Sequence, residues 1–168
     1  MSLTDEQIIN EVKAKTPITI STPLTRIRQN HSWWMACKGT LSFNGRIDVQ
    51  IEIESKDTLR GFRGEALFQL KDKSGNILWS IPTSTWGVGA VIEIAASYRK
   101  EWFYDSVPFE ILYLTHHIDT DFRENTDNTG WPQFVRNLTQ AKYDVDKLIG
   151  GNGDGTKVNK LIEAWLGV

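Results

Sequence analysis

The sequence predicts a mainly β fold, α+β in the broad sense. The expected form is an antiparallel sandwich or barrel of about seven or eight strands, with one N-terminal helix and two C-terminal helices. Three observations predict it. Across Leu41 to Glu54, apolar and polar residues alternate on either side of an Asn44-Gly45 turn. Shorter runs of the same period, separated by turn residues, recur between residues 16 and 118. Helical spacing is confined to residues 1–15 and 131–167. At 168 residues the chain reads as a single β-rich domain, 1–168, long enough to bury a full core.

The first helix is marked by a capping box, Thr4-Asp5-Glu6-Gln7, with Leu3 and Ile8 at the positions of a hydrophobic staple. Ile8, Ile9 and Val12 form its apolar stripe, and Pro17 ends it near Lys15. So short a helix is marginal alone and must dock on the β core. Thr16 to Gln29, with Pro17 and Pro23, suits an edge strand.

The central hairpin carries its own register test. A two-residue Asn44-Gly45 loop would set Phe43 against Arg46 and Leu41 against Asp48, mixing apolar and charged residues on both faces. A three-residue loop, Phe43 to Gly45 with Gly45 left-handed, sets Leu41 against Ile47 and collects every apolar residue on one face. The second form is expected. Phe62 to Lys71 reads as a strand with Ala66, Phe68 and Leu70 inward. Turn chemistry at Asp72 to Asn76 then sets Asp72 opposite Ile77, Leu70 opposite Trp79 and Phe68 opposite Ile81.

Thr85 to Tyr98 is the most apolar strand, with Gly87 and Gly89 leaving a bare backbone patch on one face. Arg99 to Val107 is expected to be an aromatic-rich turn, Pro108 to His116 a strand, and Asp119 to Gly130 an acidic loop. Pro132 suits the first turn of a helix in which Phe134, Leu138, Ala141, Val145 and Leu148 share a stripe. Thr156 is expected to cap the last helix, with Val158, Leu161, Ile162, Trp165 and Leu166 on one face.

Composition narrows the function classes. Net charge is −2, without the basic footprint that nucleic acid or an anionic membrane attracts. The single cysteine, Cys37, excludes an internal disulfide framework and falls on the inward parity of its strand. The N-terminus lacks a signal-peptide pattern, and no apolar run approaches ~20 residues. A cytoplasmic protein without a transmembrane segment is the expectation.

Five stretches carry candidate chemistry. In Tyr98 to Tyr104, four aromatics and two cations fall within one short run. With Trp86 they define a candidate ligand surface of Trp86, Arg99, Lys100, Trp102, Phe103 and Tyr104, in which rings stack and cations orient a polar or anionic group. Against it stands a core-filling role for the rings. His117, Asp119 and Asp121 share a face at strand spacing and offer an imidazole and two carboxylates to a divalent metal, although no recognised metal motif is present. A solvated acidic loop with one His salt-bridged to a neighbour explains them better. Gly150 to Lys157 has the glycine density of a phosphate loop but the order Gly-Thr-Lys, and it follows a helix, so a helix–helix connection fits better. Trp33 and Trp34 point to opposite faces, so one lies outside the core unless a helix rests on it. Arg60-Gly61-Phe62-Arg63-Gly64 is a single Arg-Gly fragment better explained as a turn.

No nucleophile elbow and no dinucleotide fingerprint occurs. The leading expectation is therefore a non-enzymatic binding or interaction module for a small-molecule, carbohydrate or protein ligand, with no nucleic-acid partner. A homo-oligomer is compatible with it, and no cofactor is required by the sequence. One alternative is a metal-assisted enzyme built on His117, Asp119 and Asp121. Another is a membrane-active β protein with a detachable amphipathic N-terminal helix, against which Asp5, Glu6 and Glu11 count.

Overall fold

A computed structural model of the chain describes residues 3–90, 97–126 and 129–167. Helix α1 (Asp5–Lys15) begins on the capping box: Thr4 Oγ1 accepts from the Gln7 backbone at 3.2 Å, and Gln7 Oε1 accepts from the Thr4 backbone at 2.8 Å. Two otherwise unpaired amides are satisfied by this exchange. Ile8, Ile9 and Val12 are buried in the core, so the helix is docked through its apolar stripe.

Strands β1 (Ile18–Ser21) and β2 (Thr25–Arg26) lie end to end along one edge of β3 (Trp33–Leu41), with Pro23 in the gap between them. β3 turns into β4 (Arg46–Ser55) with Leu41 opposite Ile47. The Ser42 amide donates to the Arg46 carbonyl at 2.9 Å, and Gly45 has φ +80°. This is the three-residue loop that keeps the apolar residues on one face. Strands β5 (Phe62–Lys71) and β6 (Ile77–Pro82) form the second hairpin, with Phe68 opposite Ile81 and Leu70 opposite Trp79 as expected. A bulge after Leu70 sets Lys71, rather than Asp72, opposite Ile77. Asp72 is taken up by the turn, where its Oδ1 accepts from the Ser74 and Asn76 amides at 2.9 Å each.

The later part of the chain departs further from expectation. The strand expected over Thr85 to Tyr98 is described only as β7 (Trp86–Val88), and positions 91–96 lie outside the described residues. The expected turn over Arg99 to Val107 is instead strand β8 (Ser97–Ser106), paired with β4 along its whole length. Charges at its inward positions hid the alternation. The expected strand over Pro108 to His116 is helix α2 (Phe109–Leu114), apolar almost all round and buried at Phe109, Ile111 and Leu112. Periodicity does not distinguish so short an apolar run from a strand.

The expected acidic loop from Asp119 is strand β9 (His117–Glu124), whose outward charges pair with β5 through Lys71–Asp119 and Arg123–Glu65. Residues 131–137 form a strap rather than a helical turn, because Ser80 captures them. The Ser80 amide donates to the Val135 carbonyl at 2.7 Å, and the Val135 amide donates to Ser80 Oγ at 3.0 Å. Helix α3 (Leu138–Leu148) starts only at Asn137, which caps it by accepting from the Gln140 amide. Phe134, Leu138 and Leu148 are therefore exposed, while Ala141 and Val145 are buried.

Helix α4 (Thr156–Leu166) lacks the Thr156 cap. Buried Asp146 of α3 takes that role, accepting from the Gly153, Lys157 and Val158 amides at 2.8, 3.1 and 3.2 Å. Burial disfavours its charge, but the amides from Gly153, Val158 and Gly155 outweigh this and hold the carboxyl below its ordinary range. Val158 and Leu161 face the core, whereas Leu166 is exposed.

Among the described residues there are nine strands in two antiparallel sheets and four helices, arranged as a sandwich rather than a closed barrel. The larger sheet runs β1–β3–β4–β8, with β2 extending the β1 edge. In the smaller one β5 is central, flanked by β9 on one side and by β6 and β7 on the other. The inner faces contribute Met35, Ile51, Ile53, Phe68, Leu70 and Ile81 to the core. Helices close the end near the central hairpin, where Trp165 Nε1 donates to the Phe43 carbonyl at 3.0 Å.

Candidate functional site

Strand pairing fixes which side chains share the outer face of the larger sheet. Residues directly opposite in an antiparallel pair point the same way. Gln50 faces Lys38 and Trp102, Glu52 faces Ala36 and Lys100, and Glu54 faces Trp34 and Tyr98. Asp48 faces Thr40 and Tyr104. All four residues of β4 alternate with buried isoleucines and valine, so this face is the solvent side of the sandwich.

Three rings of β8 stand on that face. Tyr98 is 52% exposed, and Trp102 and Tyr104 are each 54% exposed. The Trp102 and Tyr104 rings are parallel within 8°, with centroids 6.2 Å apart. The Arg46 guanidinium sits 5.1 Å from the centre of the Tyr104 ring, which extends the stack by a cation–π contact. Across β4 from the rings lies a depression of about 210 Å³ lined by Ser21, Thr22, Ala36, Cys37, Lys38, Gln50 and Glu52, with none of the rings in its wall. Ala36 is the smallest side chain in its row, and its long neighbours rise around it. Lys100 reaches Glu52 at 3.6 Å, while the Lys38 and Gln50 side chains have no hydrogen-bond or ion-pair partner among the described residues. Trp34 is overlaid by the Arg26 guanidinium at 4.8 Å, not by a helix, and its buried indole N–H is without a partner.

The aromatic run thus divides by parity. Trp102, Tyr104 and Lys100 share the outer face, and Tyr98 joins them. Phe103 points inward, tilted against Phe68 at 5.8 Å, and packs on the core. Arg99 also lies on the inner side, paired with Glu101 and donating to the Gly87 carbonyl at 3.3 Å. Trp86 packs against the core from β7, in the other sheet. Lys38, Gln50 and Glu52 were not singled out by the sequence. The alternation of β4 gave their outward direction, but only the β4–β8 register brings them beside the rings.

His117, Asp119 and Asp121 do share the outer side of β9. Asp119 is held by Lys71 Nζ at 2.5 Å, with His117 Nε2 3.9 Å away, and Asp121 borders a separate cleft under Trp131. Among the described residues, no group of three or more His, Cys, Asp or Glu side chains is placed to hold a metal ion. Cys37 is buried with Sγ 3.7 Å from Thr120 Oγ1, and burial pushes its thiol above the ordinary range. No helix among the described residues is long and apolar enough to cross a membrane.

Compared with known protein families, with curated proteins and with solved structures, the chain matches none.

Proposed function

We propose that the chain is a non-enzymatic binding module whose larger sheet holds an oligosaccharide against Tyr98, Trp102 and Tyr104. The observation that carries the reading is three half-exposed rings on one side of one strand, two of them parallel. Keeping such rings in water forgoes the burial that large aromatics normally gain, and contiguous exposed aromatic surface marks interaction sites. Sugar rings present apolar C–H faces that stack on aromatics, and hydroxyl edges that both donate and accept hydrogen bonds. Lys38 and Gln50 supply donors beside the rings, and Gln50 and Glu52 supply acceptors.

Two further features favour this ligand class. The depression, at about 210 Å³, is smaller than the ~300–1,000 Å³ pockets that enclose drug-sized molecules, so the ligand lies along the face. Asp48, Glu52 and Glu54 pair with Arg46, Lys100 and Lys56, so these cations are already answered and are not free for a polyphosphate backbone. Lys100 orients a polar group of the ligand.

A glycan array followed by calorimetry with the strongest hit tests the reading. Trp102→Ala and Tyr104→Ala are each expected to weaken that binding about tenfold, the equivalent of ~1.4 kcal/mol per ring. An array without hits, or affinities untouched by both substitutions, contradicts it.

A further inference from the structure

β8 ends the larger sheet. It pairs with β4 on one side, and among the described residues no strand pairs with its other edge. An open edge presents unpaired amides and carbonyls and is a template for another strand, which proteins usually blunt with prolines, bulges, short strands or charged side chains. Two of the other edges of this molecule show such devices. The opposite edge of the same sheet is broken into β1 and β2 around Pro23. β6 is covered by the strap through Ser80 and Val135 and ends at Pro82. β8 runs ten residues without proline, and its register with β4 is unbroken, so its protection is charge alone, from Arg99, Lys100, Glu101 and Asp105, which a second copy can answer.

We propose that two copies of this chain pair antiparallel along β8, about a two-fold axis through Trp102, joining their larger sheets into one. The register follows from symmetry and charge. A two-fold axis normal to the sheet keeps each side chain on its own face, so only residues of equal parity oppose one another. The two registers with the longest overlap are centred on Glu101 and on Trp102. Centring on Glu101 sets two carboxylates against each other. Shifting the axis outward to Lys100 opposes two ammonium groups, and shifting it to Phe103 opposes Glu101 to Asp105.

Centring on Trp102 avoids every like-charge pair. Arg99 then faces Asp105 of the second copy, Lys100 faces Tyr104 of the second copy, and the two Trp102 rings meet at the axis. Unlike charges and aromatic pairs directly across strands are the stabilising combinations. Arg99, already paired with Glu101, would lie between that carboxylate and the one from the second copy. The joined sheet also sets the ring rows of both copies side by side, although the assembly needs no ligand and does not rest on the sugar-binding reading.

Sedimentation velocity of the full chain without added sugar, across the micromolar range, tests this. A reversible dimer is expected. Asp105→Arg should weaken it about tenfold or more by opposing Arg99 with a like charge, and Arg99→Asp added to Asp105→Arg should restore it to within about threefold. Asp105 Oδ1 also accepts from the Ser106 amide at 2.7 Å, so circular dichroism accompanies each variant. Rescue by the double exchange separates a lost pairing from a damaged strand. A monomer at every concentration overturns the proposal. So does a dimer that tolerates Asp105→Arg, or a folded double variant that stays monomeric. None of these outcomes bears on the sugar titration, which reads the outer face.

Discussion

Phe103 and its neighbour Trp102 belong to one strand and differ only in the side on which they stand, which makes them a sensitive probe of the architecture. Phe103 faces fully buried Val49 across the β4–β8 pair and contacts Phe68 from the other sheet. Truncating a fully buried phenylalanine costs about 3–5 kcal/mol. Phe103 is half-buried on an edge strand, so Phe103→Ala should cost about 2 kcal/mol. In a chain of this size that lowers Tm by about 4–8 °C. Trp102 is 54% exposed and loses chiefly its contact with Tyr104. Trp102→Ala should therefore cost less than about 1 kcal/mol, a shift of at most about 4 °C. Thermal and urea unfolding of both variants at one pH, at protein concentrations where the chain is monomeric, provides the comparison. Equal losses, or a larger loss for Trp102→Ala, would mean that β8 is out of phase by one residue, and the ring face would not exist.

Asp146→Asn should cost about 3 kcal/mol at pH 7, since three backbone amides lose a charged, buried acceptor. Because the folded carboxyl titrates below its unfolded value of ~3.9, this stability is present above that pH and disappears as pH falls through the folded value. The gap between wild type and variant in urea should therefore close below about pH 4, and a gap independent of pH would refute the cap. Gly45→Ala places a Cβ 2.5 Å from the Val107 carbonyl oxygen at a φ of +80°, and should lower stability by about 2 kcal/mol or more. An unchanged urea midpoint would argue against the three-residue loop.

The central hairpin was legible because two independent constraints agree there: Asn44-Gly45 permits a tight turn, and only one register keeps Leu41, Ile47, Val49, Ile51 and Ile53 on one face. Helix α1 was legible for a similar reason, with its cap and stripe both local. β8 was obscured because it is an edge strand. Its inner side carries Arg99, Glu101 and Asp105, which satisfy themselves at the rim and break the apolar alternation. The charges that disguised β9 as a loop are answered by Lys71 and Glu65 on the neighbouring strand. The cap of α4 comes from Asp146, ten residues before Thr156, and no local signature of it exists. The aromatic run itself was visible in the sequence, but which of its rings share a surface required the phase of β8. The polar residues that complete that surface came from β3 and β4 through register alone.

The ring face of the larger sheet is the proposed sugar-binding surface. Calorimetric titration of the wild-type chain and of the Trp102→Ala/Tyr104→Ala double variant, with the strongest glycan-array hit, tests it most directly. Saturable binding to the wild type is expected, with a loss of more than about tenfold in the double variant, whose rings are in contact and so need not act additively, and a Tm lowered by no more than a few degrees. Binding of equal strength by both proteins would place the sugar elsewhere on the molecule and contradict the assignment.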